Sequence, residues 1–175
     1  MITYLRKLFR KKSPQIIMIA AIQNDRGIGY RGELVHSIKN DMKHFIAQTT
    51  GHTVIMGRKN WESIPEKYRP FKNRENIIIT RDTDYQVDGA VVVQSIEQAI
   101  EKSPTDKIYI IGGGQIYNLG LLYADTLDLT LINTNKPADI FFPEFESDFQ
   151  LLEGSGIQHD EQTNLDYEFQ IWKRK

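Results

Sequence analysis

Lys107-Ile-Tyr-Ile-Ile-Gly-Gly-Gly-Gln-Ile-Tyr117 decides how this chain is read. An apolar, β-branched run, Ile108 to Ile111, ends in Gly112, Gly113 and Gly114. A helical pattern starts at once with Gln115, Ile116 and Tyr117. Backbone without Cβ atoms lets a ligand approach closely, and free N–H groups at a helix start favour an anion. The ligand expected there is a phosphate or pyrophosphate. A plain strand-to-helix turn is the other reading, but it needs one glycine and not three in a row. The common dinucleotide fingerprint asks for Gly-x-Gly-x-x-Gly near the first strand of a βαβ unit. Gly112 and Gly114 fit its first two places, Tyr117 stands at the third, and the turn comes late in the chain. A standard Rossmann domain is therefore disfavoured.

Outward from this turn, strands alternate with helices. Ile16 to Ile22 is a continuous apolar run and predicts a buried strand. Gln23 to Ser37, with Gly27, Gly29 and Gly32, reads as a long mobile loop. Ile38 to Thr49 predicts a helix with Ile38, Met42, Phe45 and Ile46 on one face. Thr53 to Met56 predicts a short strand, and Arg58 to Ile64 a short helix stopped by Pro65. Asn76 to Thr80 and Ala90 to Val93 predict further strands. Ser95 caps a helix to about Lys102, its hydroxyl meeting an early N–H group. Asp125 to Ile132 and Asp166 to Lys173 alternate apolar and polar residues, as late antiparallel strands do. The pattern implies an α/β sheet, mostly parallel, with covering helices and an antiparallel end.

The 175 residues, 40% hydrophobic and 26% charged, suit one domain with a sizeable core. The absence of cysteine excludes disulfides, thiolate metal sites and a cysteine nucleophile, and is compatible with a cytoplasmic setting. No apolar run approaches membrane-spanning length. Residues 1–15 form a basic extension with Arg6, Lys7, Arg10, Lys11 and Lys12 and no acid, and Pro14 marks its boundary. It reads either as a flexible solvated tail or as a segment touching an anionic membrane surface. Setting those five aside from 22 Lys and Arg leaves 17 against 23 Asp and Glu, a balance near −6. A basic nucleic-acid footprint is absent. His36, His44, His52 and His159 show no ligand-like spacing, so no metal site is expected.

Three polar residues stand out. Asp41 lies in a helix whose neighbours Ile38, Met42 and Phe45 are apolar. An acid beside an apolar face can bind an amidine-like group, its ionisation tuned by burial. A first-turn acid facing solvent and favoured by the helix dipole is the commoner reading of that position alone. Arg58 follows Gly57 at a strand-to-helix junction, with Lys59 beside it, and Arg81 follows Thr80 at the next strand's end. Strand ends in an α/β sheet converge where ligands bind. Two arginines and a hydroxyl suit a phosphomonoester, and two ordinary surface arginines are the plainer alternative.

In this order the segments resemble the dihydrofolate reductase family. They are Met18-Ile-Ala-Ala-Ile22, Arg26-Gly-Ile-Gly29, Asn40-Asp-Met-Lys-His-Phe45 and Val54-Ile-Met-Gly-Arg-Lys-Asn-Trp-Glu-Ser-Ile64. Then follow Asn76-Ile-Ile-Ile-Thr-Arg81, Ile110-Ile-Gly-Gly-Gly-Gln-Ile-Tyr117, Phe142-Pro143 and Tyr167-Glu-Phe-Gln-Ile-Trp172. The likeness covers about Ile16 to Lys173, nearly everything after the tail, and residues 16–175 are expected to form the one domain. It implies an eight-stranded, mostly parallel sheet with an antiparallel last strand and about four helices. It implies NADPH-dependent reduction of 7,8-dihydrofolate to tetrahydrofolate for one-carbon metabolism, by a cytoplasmic monomer of a family that antifolates target. Asp41 matches the family's active-site acid, which grips the pterin and supports protonation of N5 while hydride reaches C6. The pterin pocket maps onto Ile19, Ala21, Leu34, His36, Met42, Phe45, Ile64, Phe71, Ile111, Tyr117 and Thr130. Arg74 matches the arginine that holds the glutamate α-carboxylate. The cofactor positions map onto Ala21, Ile28, Gly29, Gly57, Arg58, Lys59, Asn60, Ile79, Thr80, Arg81, Ser95 and Ile111, and onto Gly112, Gly113, Gly114, Gln115, Ile116 and Tyr117. Arg58, Thr80 and Arg81 hold the 2′-phosphate in that mapping, which favours NADPH over NADH. The bond matching Gly112–Gly113 is cis in the family.

Five positions depart from the family pattern. Val35-His36 stands where Pro-Trp is usual, Lys39 where proline is common, Asn60 where threonine is usual and Asn73 where glycine precedes the arginine. His36 can replace a tryptophan hydrogen bond but not its area, and histidine titrates near neutral pH. Asparagine tolerates a left-handed turn. Two rivals stay in view: a same-fold reductase of another heterocycle, as in the riboflavin pathway, and a weakly active NADPH- and pterin-binding protein. The first lacks the helix acid and the folate-carboxylate arginine, so Asp41 and Arg74 speak against it.

Overall fold

A computed structural model describes residues 13–175. The expected tail therefore lies, in its residues 1–12, outside the described part, and the first strand, β1, spans Gln15–Gln23. The other long strands are β4 (Thr53–Gly57), β5 (Glu75–Ile79), β6 (Val91–Val93), β7 (Lys107–Ile110), β8 (Thr126–Ile132), β10 (Phe149–Gly154) and β12 (Leu165–Arg174). Eight strands run side by side as β10-β12-β8-β1-β7-β4-β5-β6, and a short β11 (Gln158–Asp160) also pairs with β12. From β8 to β6 every neighbour pair is parallel, and β12 closes that run antiparallel to β8. The helices are α1 (Lys39–Thr49), α2 (Arg58–Ser63), α3 (Ile96–Lys102) and α4 (Gly114–Gly120).

Alternation along the strands builds two apolar layers. Met18, Ile55, Ile77, Ile108 and Ile110 face one side, where Ile96 and Ala99 of α3 and Ile116 of α4 cover them. Ile17, Ile19, Val54, Met56, Ile78 and Tyr109 face the other, under Trp61 of α2 and Phe45 of α1. Both faces are covered, so the strands read as unbroken apolar runs. Among the described residues no helix is long and apolar enough to cross a membrane.

Two expectations need correction. Gln23–Ser37 is not a structureless loop. It holds β2 (Gly27–Tyr30) and β3 (Glu33–Leu34), which form a three-stranded sheet with β9 (Ile140–Phe141). Its hydrogen bonds go to a partner more than a hundred residues away, which local pattern does not reveal. The segment 125–132 is not simply an antiparallel strand, because β8 lies parallel to β1. Its polar positions Thr126, Asp128 and Thr130 are buried, so alternation there marks two covered faces of different chemistry.

Candidate active site

The C-terminal ends of the parallel strands meet on one edge of the sheet, where ligands bind in open α/β folds. Register aligns Gly57 with Ile79 and Ile79 with Val93. Arg58, Thr80, Arg81 and Ser95 therefore leave the sheet side by side. The glycine turn joins them through Gly57 N–H, which donates to the Gly112 carbonyl at 2.8 Å. Asn60 Nδ2 donates to the Ile111 carbonyl at 3.0 Å, tying α2 to the same turn. Ser95 caps α3 as expected, accepting from Gln98 N–H.

The three glycines do different work. Gly112 has φ +98°, and a Cβ there would stand 2.7 Å from the Tyr117 ring. A Cβ on Gly114 would stand 2.8 Å from Ile140 Cγ2. A Cβ on Gly113 would meet nothing within 4 Å. Protein packing therefore accounts for two of the three, and Gly113 faces the open cleft. No side chain caps the start of α4 at Gly113, which leaves early N–H groups of that helix without a side-chain acceptor. These features fit a nucleotide cofactor laid along the edge. The Gly112–Gly113 bond is cis, as the resemblance implies.

Arg58 is already engaged. Its Nε lies 2.8 Å from Glu62, its Nη1 2.7 Å from Asp82, and its guanidinium stacks over Tyr85 at 4.4 Å. Arg81 and Lys59 are exposed beside it. The cluster gathers three cations, Arg58, Lys59 and Arg81, and two carboxylates engage one of them.

The second half of the cleft lies beside α1. Asp41, in its first turn, is partly buried. Burial pushes its carboxyl above the usual carboxylate range and the neighbouring Asp128 adds to this, while the Thr130 hydroxyl and His44 pull it back. Register places Ala21 beside Thr130 and Ile19 beside Asp128. Tyr117 donates its hydroxyl to the Ile19 carbonyl at 2.7 Å, and burial pushes that phenol well above its ordinary value. Met42 and Ile46 are 47% and 48% exposed, and Leu34 is 70% exposed. The apolar face of α1 is thus only partly core, and Met42 and Ile46 are left uncovered by the protein. A shallow hollow of about 200 Å³ opens by the hairpin, and of the expected pterin contacts only Leu34 borders it.

Phe45 and Phe71 meet edge to face at 5.6 Å, and Arg74 lies over both rings. Arg74 Nε donates to Thr49 Oγ1 at 2.8 Å, and Nη2 donates to Thr50 Oγ1 at 3.1 Å. Among the described residues no carboxylate pairs with it. Asn73, just before it, has φ +56°, the left-handed turn that asparagine tolerates.

His36 is held by Gln23, at 2.9 Å between Nε2 and Oε1. That oxygen also accepts from Lys136 N–H, while Gln23 Nε2 donates to the Lys136 carbonyl and Asp25. The amide orientation is fixed, so His36 Nε2 is the donor and the neutral Nδ1 an acceptor. Nδ1 is buried and has no partner among the described residues. Burial, and then the charge of Lys136, lower the imidazole below 6.5, so its titration moves to the acid side of neutrality.

Reasoning from sequence overlooked the pair His44–Asp128. His44 Nε2 lies 2.8 Å from Asp128 Oδ1, and the ring stacks on Phe169 at 4.4 Å. Two signals were available: His44 sits three residues after Asp41, one helical turn along, and Asp128 is a charge inside a buried strand. The acids Glu62 and Asp82 were also passed over.

A family profile described as dihydrofolate reductase matches residues 15–174. The dihydrofolate reductase of Bacillus subtilis (strain 168) is 37% identical over 162 residues, covering 91% of this chain and 95% of that protein. The Heliothis virescens dihydrofolate reductase is 30% identical, covering 90% of this chain and 96% of its own. The Mycobacterium tuberculosis (strain CDC 1551 / Oshkosh) enzyme is 38% identical over 112 residues, covering 64% and 68%. Fold and kinship together define an α/β oxidoreductase of the kind that uses a nicotinamide cofactor. The chain belongs to the dihydrofolate reductase family.

Proposed function

We propose that this protein reduces 7,8-dihydrofolate to 5,6,7,8-tetrahydrofolate with NADPH, as a cytoplasmic monomer feeding one-carbon metabolism. One observation carries the reading: a partly buried carboxyl, Asp41, sits with Thr130 on the wall of a cleft whose other end is an open glycine turn. Asp41 binds the pterin through the N3 and 2-amino groups, with Ile19, Ala21, Met42, Phe45, Ile64, Phe71 and Ile111 around the ring. Its raised proton affinity suits it to support protonation of N5, through ordered water. Arg74, without a carboxylate partner among the described residues, takes the glutamate α-carboxylate in a forked pair.

The chain's own cofactor residues are Gly57, Asn60, Ser95 and the Gly112–Tyr117 turn, with Ala21, Ile28 and Gly29 on the hairpin side. Arg58, Thr80 and Arg81 bind the 2′-phosphate, which favours NADPH over NADH. When bound, the reduced nicotinamide supplies the hydride that adds to C6. His36 and Leu34 close the pterin end, excluding water as closing loops do. NADPH oxidation driven by dihydrofolate tests the reading in wild type and Asp41→Asn. Turnover by wild type, with a loss of about 100-fold or more in the variant, is expected for a removed acid–base group. Equal turnover by both would sink the role given to Asp41.

A further inference from the structure

We propose that His44 and Asp128 form a positioning pair for Asp41. The carboxylate of Asp128 holds His44 as the imidazolium, and that charge decides over what pH range Asp41 stays an anion able to grip the pterin. The inference deepens the proposed function and rests on it.

The geometry is one direct contact between α1 and β8, His44 Nε2 to Asp128 Oδ1 at 2.8 Å, with Asp41 one helical turn before His44. Asp128 and Thr130, two apart on β8, share a face of the strand. Thr130 acts on Asp41, and Asp128 takes His44. Asp41 and His44, three apart on α1, share a helix face. Asp128 is only 4% exposed. A carboxylate so covered must be paired, and His44 is its salt-bridge partner among the described residues. On β12, Lys173 Nζ donates to Thr126 Oγ1 at 2.7 Å, two residues before Asp128 on the same face of β8. Tyr109 of β7 is a neutral phenol, pushed up to about 12 by burial and then by Asp128. Tyr117 of α4 is neutral for the same reason of burial. From β12 comes the apolar ring of Phe169, stacked on the imidazole.

The charges then act in a fixed order. With His44 protonated, the cluster carries two anions and one cation, and Asp41 ionises beside a net neutral pair. With His44 neutral, Asp41 must ionise beside an uncompensated Asp128. The hydrogen bond that His44 donates to Asp128 raises the imidazole above 6.5, against the effect of burial. His44 and Asp128 act on Asp41 in opposite directions, as a coupled pair does.

Carboxyl and imidazole titrations followed by NMR on the ligand-free protein test this, with the Asp41 signal assigned by its loss in Asp41→Asn. In wild type His44 should titrate above 6.5. His44→Gln keeps a hydrogen bond to Asp128 but removes the charge. It should move the Asp41 midpoint up by about one pH unit, as loss of a neighbouring cation does. The acid limb of kcat/KM for dihydrofolate should move with it. The double variant His44→Gln/Asp128→Asn, a neutral amide pair, should bring the midpoint back down. An Asp41 midpoint unmoved in His44→Gln overturns the proposal. If that variant does not fold, a wild-type His44 titrating below 6.5 overturns it. A wild type without dihydrofolate turnover would instead sink the proposed function and leave the titration result standing.

Discussion

Arg74→Ala separates the grip on the substrate's tail from the chemistry at its ring. Within the protein the guanidinium is replaceable. Thr49 and Thr50 lose it as a donor, yet their hydroxyls still donate to the Phe45 and Ile46 carbonyls. The cost in stability is therefore about 1 kcal/mol, that of one net hydrogen bond. The cost in substrate binding is larger. A forked, charge-assisted pair over two aromatic rings contributes about 2–3 kcal/mol, or about 30- to 150-fold in kcat/KM. In the proposed binding mode the arginine holds the glutamate carboxylate and touches no reacting atom, so the loss should fall on KM and leave kcat nearly unchanged. The assay is steady-state turnover with dihydrofolate and with a dihydropterin that has no glutamate tail. Wild type and variant should handle the second substrate equally. An equal loss on both substrates would refute the reasoning, because it would mean that Arg74 acts on the ring or on the fold.

Further outcomes follow from the same geometry. Asp41 ionises above the ordinary carboxylate value of 3.8, so its anion costs folded stability once the pH exceeds the folded value. Asp41→Asn should therefore raise the Tm of the ligand-free protein near neutrality, the gain fading towards pH 3.8, as calorimetry against pH would read. Gly113→Ala should keep the fold but lose about 1–3 kcal/mol of NADPH affinity by overfilling the cleft, measured by calorimetric titration. Gly112→Ala should lower Tm first, because its Cβ meets the Tyr117 ring at positive φ. His36 is held below 6.5, so its protonation removes stability and activity as pH falls through that lowered value. His36→Trp should flatten the acid side of the pH–rate profile. Asp82→Asn should free Arg58 and tighten NADPH by a small factor that shrinks as salt rises, seen in Kd at two ionic strengths.

The sequence made the parallel core legible because both its faces are covered. Ile16–Ile22, Val54–Met56 and Ile77–Ile79 are apolar without interruption, and only strands between two helical layers need that. Ser95 and the glycine turn were readable because caps and tight turns use few residue types. The hairpin β2–β3 was not, since its partner β9 lies at Ile140–Phe141 and only tertiary pairing stabilises both. Asp41, Arg58, Arg74 and Arg81 gained their assignments from resemblance, because an acid in a first turn or an arginine after a strand is common on any surface. Asp128 escaped notice because a single charge in an alternating strand looks like a solvent position. Burial with a histidine partner appears only once α1 lies on β8.

The strand Ile140–Phe141 serves two neighbours at once. Phe141 pairs with Gly27 of the hairpin, and Ile140 packs over Gly114 of the glycine turn. A Cβ on Gly27 would in turn stand 2.7 Å from Ala138. Segments 23–29 and 138–142 therefore form one exchangeable unit with the turn. A chimera that imports a relative's hairpin alone would carry a mismatched partner strand, and one that imports both segments would keep the seam intact.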